Sequence, residues 1–440
     1  MRWKISTRHL VRQIAAEISS ATRHFDRLVQ WQPRPTDDGA LRDAIDCPRK
    51  ECVGKDEPFP DLSGEHDRRT AVLLYANFNF EYDIQRVLME LRPRLARTSR
   101  VFAVCYNPYL RWLFVFAHWL GLYRAEIPTT FATRAVLTNI ARISGYEIVR
   151  ERPAGFFPFR LLGLGTLLDR AISLLPLVRN FALVDVVVWR PVLPSAEKPS
   201  LSIVIPARNE RGNVQAALDR LPDLGDARVE VIFVEGHSSD GTWEEIQRAV
   251  GANTRPFTCH ALQQTGVGKA DAVAAGFARA TGDLLTILDA DLTMPPELLP
   301  RFYDAWCRGD ADFVNGSRLV YPMEGRAMRT LNLLGNVFFA KVLSWIAGTP
   351  LTDALCGTKL FARHDWARFR AWRDDFGDRD PFGDFELIFP AAELGLGIVD
   401  IPIRYRDRTF GTTQIRRFHH GWQLLQMTAV AVWKIRMARL

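Results

Sequence analysis

Two carboxylates, Asp289 and Asp291, follow the apolar run 284–288 and are separated by one residue. At the end of a buried strand, an Asp-x-Asp pair offers hard oxygen ligands for Mg²⁺ or Mn²⁺, and a bound diphosphate can supply the others. Such a cation neutralises a diphosphate as it leaves. Taken alone, the pair can equally cap the helix expected near Pro295. The pair by itself therefore predicts either a metal site or a helix cap.

Polar loops follow two further apolar runs. The first is 206–210 (PARNE), and the second begins at Glu235 and continues through Ser238 and Asp240. Asn209 or Asp240 can each serve as a helix cap. Carboxyl ends of parallel strands, however, form the ligand crevice of an α/β sheet. Three polar loops after three strands therefore favour a nucleotide site.

The elements that must position these loops form an α/β pattern from residue 201 onward, with a mixed, mostly parallel sheet. The pattern predicts helices over Asn213–Leu221 and Thr242–Val250. The predicted strands are Leu201–Ile205, Val229–Glu235, Leu284–Asp289, Asp312–Asn315 and Ile398–Ile403.

An α/β rhythm also occupies residues 71–190. Its predicted strands are Ala71–Tyr75, Val101–Cys105, Tyr146–Val149 and Leu183–Trp189, and its predicted helices are Asp83–Leu95 and Ala135–Ser144. Before it, residues 1–70 predict one helix through about Val29 and then an irregular segment. Pro191, Pro194 and Pro199 mark a linker over 191–200.

Composition narrows the class of protein. The chain has 440 residues, 48% hydrophobic and 24% charged, which excludes a mostly disordered chain. The net charge is +7 with 49 Arg and eight Lys, which suits anionic ligands. No nucleic-acid-reading module accompanies that charge, so we expect no nucleic-acid partner. Six scattered cysteines predict free thiols in the cytoplasm. The apolar runs are too short to span a bilayer.

Residues 201–415 resemble the family 2 inverting glycosyltransferases, whose nucleotide-sugar domain has the GT-A fold. The matching strings are IPARNE, VEGHSSDGT, GVGKADAV and LDADLTMPPE. Within that family, NGSR, CGTKLF and IPIRYRDRTFGTTQI resemble dolichyl- and polyprenyl-phosphate hexosyltransferases. The resemblance implies a hexose transfer with inversion, a nucleoside-diphosphate sugar as donor, and Mg²⁺ or Mn²⁺ as cofactor.

The resemblance also implies residue roles. The donor-binding residues would be Pro206, Ala207, Asn209, Glu210, Glu235, Ser238, Asp240, Lys269 and Asp289. Asp289 and Asp291 would hold the metal. The chain departs from the family pattern at Thr293, where Gln is common, at Glu235-Gly236-His237, where Asp-Asp-Gly is common, and at Thr413-Gln414, where Ser-Lys is common.

A phosphate acceptor is already anionic and needs cations to orient it, whereas a hydroxyl acceptor needs a general base. By resemblance, the phosphate-orienting cations are Arg318, Arg329 and Arg408; Arg326, Arg404 and Arg406 compete with them. The same resemblance offers Asp384 as the base for a hydroxyl acceptor. Under the phosphate interpretation, Asp384 or Glu386 would instead orient an Arg or the sugar.

Two segments suit a membrane surface. The helix expected over 331–346 is apolar around most of its circumference, and the predicted amphipathic helix 416–440 has basic ends. Each can instead pack inside the protein. The membrane-surface interpretation predicts peripheral attachment to the inner face of a membrane with anionic lipids.

Residues 71–190 resemble the rear half of a class I methyltransferase, on the strings LLYANFNFEYDIQRVLMELRPRL and SGYEIVRE. Residues 1–70 lack the Gly-rich loop that lets a cofactor approach the backbone. We therefore expect a truncated, non-catalytic domain that does not bind S-adenosylmethionine and that covers the transferase or recruits a protein partner. The alternatives for the whole chain are a transferase with a glycan or other hydroxyl acceptor, and a non-catalytic nucleotide-sugar-binding scaffold.

Overall fold

The computed structural model describes residues 2–120, 127–156, 181–321, 330–376, 380, 383–408, 410–411 and 417–437. The chain forms two compact units. The first is Met1–Leu193 with Ala392–Gly395 and Val432–Leu440; the second is Pro194–Ala391 with Leu396–Ala431.

The first unit is built on a six-stranded sheet in the order β2-β1-β3-β4-β6-β5. Its strands are β1 Arg27–Trp31, β2 Lys50–Val53, β3 Thr70–Tyr75, β4 Arg100–Tyr106, β5 Tyr146–Ala154 and β6 Val184–Pro191. The first four run parallel, and β6 lies antiparallel between β4 and β5. The helices described in this unit before residue 193 are α1 Arg2–Thr22, α2 Ala40–Ala44, α3 Asn77–Phe80, α4 Ile84–Leu91, α5 Arg111–Trp119 and α6 Arg134–Ile143.

The prediction for residues 1–70 was wrong in two places. The first helix ends at Thr22 rather than near Val29, and Arg27–Trp31 is a strand. The segment 31–69, predicted to be irregular, contains the strand β2 and a short helix. Both strands gain their hydrogen bonds from partners far along the chain, Leu28 opposite Ala71 for example. Tertiary pairing of this kind overrides local propensity.

The second unit is built on a seven-stranded sheet in the order β13-β11-β12-β10-β7-β8-β9. Its strands are β7 Leu201–Ala207, β8 Val229–Glu235, β9 Thr258–Gln263, β10 Leu284–Ile287, β11 Phe313–Ser317, β12 Lys359–Ala362 and β13 Ile398–Pro402. Only β12 is antiparallel to its neighbours, β10 and β11, among the pairings described. The mixed, mostly parallel α/β sheet of the prediction is confirmed.

Helices connect these strands. They are α7 Val214–Asp219, α8 Thr242–Gly251, α9 Lys269–Arg279, α10 Leu299–Cys307, α11 Thr330–Ala347, α12 Arg363–Phe376, α13 Phe385–Glu393 and α14 Arg417–Ala431. A π-helical turn, Val432–Met437, follows α14. The strands β9 and β12 were missed, because Thr258–Gln263 is half-exposed and Lys359–Ala362 is only four residues long. Among the helices described, none combines the length and the apolar character that crossing a bilayer requires.

Close packing of α9 on the sheet holds the start of that helix near the strand ends. Gly276 of α9 lies so near β7 that a Cβ there would sit 2.4 Å from Cγ1 of Val204. Val204 is fully buried in the middle of the sheet and cannot move aside. The absence of a side chain at Gly276 therefore sets the distance between helix and sheet.

We expect Gly276→Ala to destabilise the protein by about 1–3 kcal/mol, because overpacking outweighs the gain in helix propensity. Gly251→Ala is the matched control, since Gly251 also lies in a helix but a Cβ there meets nothing within 4 Å. The measurement is the free energy of unfolding in urea. Equal stability of the two variants would contradict this account of the packing.

Candidate active site

The carboxyl ends of β7, β8, β10, β11 and β13 lie at one edge of the second sheet, because these strands run in the same direction. The three polar loops predicted from the sequence therefore meet there. Two of them are joined by hydrogen bonds: the Asn209 amide donates to Ser238 Oγ at 3.0 Å, and the Ser239 amide donates to Asn209 Oδ1 at 2.9 Å. Asn209 itself has a φ of 55°, a left-handed conformation that Asn tolerates.

Glu235 ends β8 as a buried acceptor. Its carboxylate accepts from the Ser238 amide at 2.5 Å and from Gln263 Nε2 at 3.2 Å. Burial alone would raise the pKa of Glu235, but these hydrogen bonds outweigh it and hold the pKa below its ordinary value. The side chain is thus an ionised acceptor at neutral pH, as recognition of a base N–H requires.

Asp240 is held by hydrogen bonds from its own loop and from Arg211, whose amide donates to Oδ2 at 3.4 Å. Its Oδ1 accepts from the amide and the hydroxyl of Thr242, at 3.1 and 2.5 Å, at the start of α8. Thr242 Oγ1 is in turn hydrogen-bonded by the Glu210 amide at 3.0 Å. Asp240 therefore fixes the shape of the loops that follow β7 and β8.

Asp289, the first carboxylate of the pair, is held by Lys269 at the start of α9. Lys269 Nζ lies 2.5 Å from Asp289 Oδ1. Burial opposes both charges, but the ion pair prevails: the pKa of Asp289 is lowered and the pKa of Lys269 is raised, the latter also by Asp384. Gly357 passes so close that a Cβ there would lie 2.4 Å from Asp289 Oδ2. The ion pair of Lys269 and Asp289 therefore stays charged at neutral pH, and the backbone at Gly357 packs closely against it.

Asp291, the second carboxylate, is held by Arg408 from the loop after β13. Arg408 Nη2 lies 2.6 Å from Asp291 Oδ2, and its Nη1 lies 3.0 Å from Glu210 Oε1. Thr293 Oγ1 donates to the other oxygen of Asp291 at 2.7 Å. Burial raises the pKa of Glu210, an effect that the Arg408 charge partly offsets. Arg408 thus connects the loop after β7 to the Asp-x-Asp pair.

The carboxylate pair fits a cation that arrives with a ligand. Among the described residues, no group of three or more His, Cys, Asp or Glu side chains is placed to hold a metal. Mg²⁺ is commonly held by one or two carboxylates together with substrate phosphates. Asp289 and Asp291 supply that chemistry, and Asp291 can offer Oδ2 only when Arg408 releases it.

The other predicted arginines are placed differently. Arg318, at the end of β11, donates from Nε and Nη2 to the two oxygens of Asp353 at 2.7 and 2.9 Å. This guanidinium also lies over the ring of Tyr405, 5.5 Å from its centroid. Arg404 and Arg406 are exposed. Arg326, Arg329 and the Thr413-Gln414 departure lie outside the described residues.

Asp384, the candidate base, is engaged by a lysine that the sequence analysis did not single out. Lys359 Nζ lies 2.5 Å from Asp384 Oδ1, and Lys359 is fully buried. Lys359 also donates to the carbonyl of Cys356. The Lys359 ammonium and the Asp384 carboxylate therefore form a buried ion pair.

Two partners, Asp353 and Lys359, were missed, although Lys359 lies within the matching string CGTKLF. The strand 359–362 was not predicted, so nothing in the sequence indicated that this lysine is buried beside Asp384. Beside the Lys269 end of the site lies a cavity of about 920 Å³. It is lined in part by Val267, Asp271 and Met427.

Part of the second unit matches a known protein family. The family model for glycosyl transferase family 2 matches residues 202–368. The chain is 32% identical over 227 residues to a dolichyl-phosphate hexose transferase of Haloferax volcanii, a match that covers 50% of this chain and 89% of that protein. It is 30% identical over 240 residues to the low-salt glycan biosynthesis hexosyltransferase Agl6 of the same organism, with 53% and 54% covered. A dolichol-phosphate mannosyltransferase of Pyrococcus furiosus is 34% identical over 122 residues, 27% of this chain and 33% of that one.

Among solved structures, similarity is found to a mannosyltransferase of Pyrobaculum calidifontis in complex with GDP-Man and Mn²⁺. The identity is 18% and the TM-score 0.38, with 55% of this chain and 66% of that chain covered. Sequence similarity over nearly the full length of the first relative carries the assignment: the chain belongs to glycosyltransferase family 2.

Proposed function

We propose that this protein transfers a hexose from a nucleoside-diphosphate sugar to a polyprenyl phosphate of the dolichyl type, with inversion at the anomeric carbon and with Mg²⁺ or Mn²⁺. The observation that carries the proposal is the meeting of both donor loops with Asp289 and Asp291 at one sheet edge. The similarity to a dolichyl-phosphate hexose transferase supports the acceptor class.

The donor would lie along the loops after β7 and β8. Glu235, held ionised by the Ser238 amide, is the acceptor for the base. Pro206, Ala207, Asn209 and Glu210 form the wall beside it. Lys269 and Asp289 mark the diphosphate end, because a cation is needed there for the phosphate oxygens.

The metal would be held by Asp289 and Asp291 together with the donor's diphosphate. When bound, it would supply positive charge to the leaving diphosphate. The chain's own contribution is to hold the two carboxylates in fixed positions, through Lys269 on one and through Thr293 and Arg408 on the other.

The state of Asp384 favours a phosphate acceptor over a hydroxyl. A general base must have a carboxylate oxygen within reach of the proton it removes. Asp384 Oδ1 is instead bound to the buried Lys359. A phosphate monoester carries no proton that must leave, so its oxygen can attack C1 directly while the C1–O bond to the diphosphate breaks on the opposite side. Arg408 is our candidate for orienting this acceptor, with Arg318 as a positioning residue through Asp353 and Arg329 as a further cation.

Two helices support peripheral attachment to the inner face of a membrane. On α11, Phe338 is exposed while Leu343 and Ile346 are buried, and on α14 Trp422 is exposed while Met427 is buried. One-sided exposure of this kind suits the plane of a membrane interface.

From the predicted division we retain the linker 191–200, the transferase 201–415, the helix 416–440 and a truncated methyltransferase-like domain over 71–190. The boundary at residue 70 is not kept, because β1 and β2 lie in the same sheet as β3 and Met1–Leu193 belong to one compact unit. The loop after β1, where a methyltransferase-like domain would need glycines, contains Gln32, Pro33 and Arg34, and Arg34 lies 3.2 Å from the centroid of the Phe80 ring. This supports a non-catalytic scaffold without S-adenosylmethionine, available to a protein partner.

The direct test is a donor screen. Full-length protein is incubated with a short-chain polyprenyl phosphate, Mn²⁺ or Mg²⁺, and a panel of nucleoside-diphosphate hexoses, and lipid-linked sugar is measured. We expect one donor to give product, with loss of product on chelation by EDTA. Transfer to glycan acceptors without any lipid-linked product would contradict the proposal.

Replacement of the second carboxylate should remove turnover without unfolding the protein. We expect Asp291→Asn to lower kcat by roughly 100-fold or more, because one fixed charge beside the leaving group is lost. Asp310→Asn is the matched control, since Asp310 also pairs with an arginine, Arg308 at 2.8 Å, but lies on the surface. Normal turnover by the Asp291 variant would contradict the metal site.

Asp384→Asn separates the two acceptor classes. With a phosphate acceptor we expect less than about a tenfold fall in kcat, whereas loss of a general base would cost about 100-fold to 10,000-fold. The double variant Lys359→Met with Asp384→Asn is the control, because it also removes the buried charge left without its partner. A fall in kcat of about 100-fold or more in both variants would favour a hydroxyl acceptor.

A further inference from the structure

The first unit carries an exposed aromatic face on the helix α5. Trp112, Phe116 and Trp119 follow one another at helical spacing and are 64%, 50% and 77% exposed. Tyr109, just before the helix, is exposed to a similar extent. Phe116 and Trp119 are stacked on each other, with ring centroids 6.0 Å apart. Large apolar side chains grouped in this way mark an interaction surface.

The opposite side of the helix is anchored. Phe114 is half-buried, and its ring centroid lies 5.0 Å from that of Tyr106 and 6.1 Å from that of Phe131. The guanidinium of Arg111 lies over the Phe131 ring at 5.7 Å. The helix is therefore fixed to the unit by one side, and the aromatic side is held outward.

Charge and residue type indicate what this face binds. The described residues 107–120 contain Arg111 and no Asp or Glu. Trp and Tyr are the residues enriched at the boundary between lipid and water, and basic residues beside them attract anionic lipid. The helix has nine residues, far fewer than a span requires.

We propose that the aromatic face of α5, formed by Tyr109, Trp112, Phe116 and Trp119, inserts into the interface of an anionic lipid bilayer. The first unit is then a membrane-docking module in its own right. This inference goes beyond the proposed transfer reaction and does not depend on it, since every residue involved lies in the first unit.

The test is flotation of the full-length protein with vesicles of phosphatidylcholine alone and of phosphatidylcholine with phosphatidylglycerol. We expect binding to the anionic vesicles, weakened by salt. The variant Trp112→Ser with Trp119→Ser should lose roughly tenfold or more in partitioning, because two large side chains no longer enter the interface. Trp112→Phe with Trp119→Phe should retain most of the binding.

Tyr82→Ser is the matched control, because Tyr82 is an exposed aromatic residue of the same unit outside α5. It should bind as the unchanged protein does. Thermal unfolding of each variant shows whether the fold is kept. If the double serine variant is unstable, the single variant Trp119→Ser takes its place and should still weaken binding to anionic vesicles, because Trp119 is the most exposed of these side chains.

Three results would overturn the proposal: no vesicle binding by the unchanged protein, equal binding by a well-folded serine variant, or a dimer in solution that the serine variant converts to a monomer. The last would assign the face to a second copy of the chain.

Transfer to a short, water-soluble prenyl phosphate, measured in parallel without vesicles, should be the same in all variants. That assay separates failure of the membrane proposal from failure of the proposed reaction.

Discussion

Charge compensation at the end of β10 is the constraint on which the second unit depends. Two carboxylates one residue apart at the rim of a buried sheet are tolerated only when cations stand beside them. Lys269 precedes the two carboxylates in the sequence and Arg408 follows them, and they supply that charge at 2.5 and 2.6 Å. Because Arg408 also binds Glu210, the same contacts that stabilise Asp291 bring the loop after β7 and the segment after β13 together. Stability and the arrangement for binding therefore come from the same ion pairs.

The antiparallel strand β12 gives the site its second group of residues. Since β12 runs against β10 and β11, its first residue lies at the edge where those strands end. Lys359 thereby reaches Asp384, and the preceding Gly357 packs on Asp289. A fully parallel sheet would place the beginning of this strand at the far edge, away from the chemistry. The antiparallel direction of β12 thus brings the buried ammonium group of Lys359 to the site.

The two units present different surfaces. The second unit keeps its charged groups paired around the strand ends. The first unit buries a mixed sheet and exposes aromatic side chains on α5, with Arg111 beside them and no acidic residue in the described stretch around it. A transferase whose acceptor is a lipid would gain from such a surface, because confinement to the bilayer raises the effective concentration of the acceptor.

The sequence by itself determined the family, the α/β class and the sheet edge of the candidate site. Apolar runs ending in polar residues, as at Glu235 and Asp289, specify strand ends whatever lies around them. Only the tertiary structure decided which charges meet: Arg408 with Glu210, Arg318 with Asp353, and Lys359 with Asp384. It also decided that Arg27–Trp31 is a strand, since its partner begins at Thr70. In each case the reason is that hydrogen bonds and ion pairs between distant residues produce no periodic pattern in the local sequence.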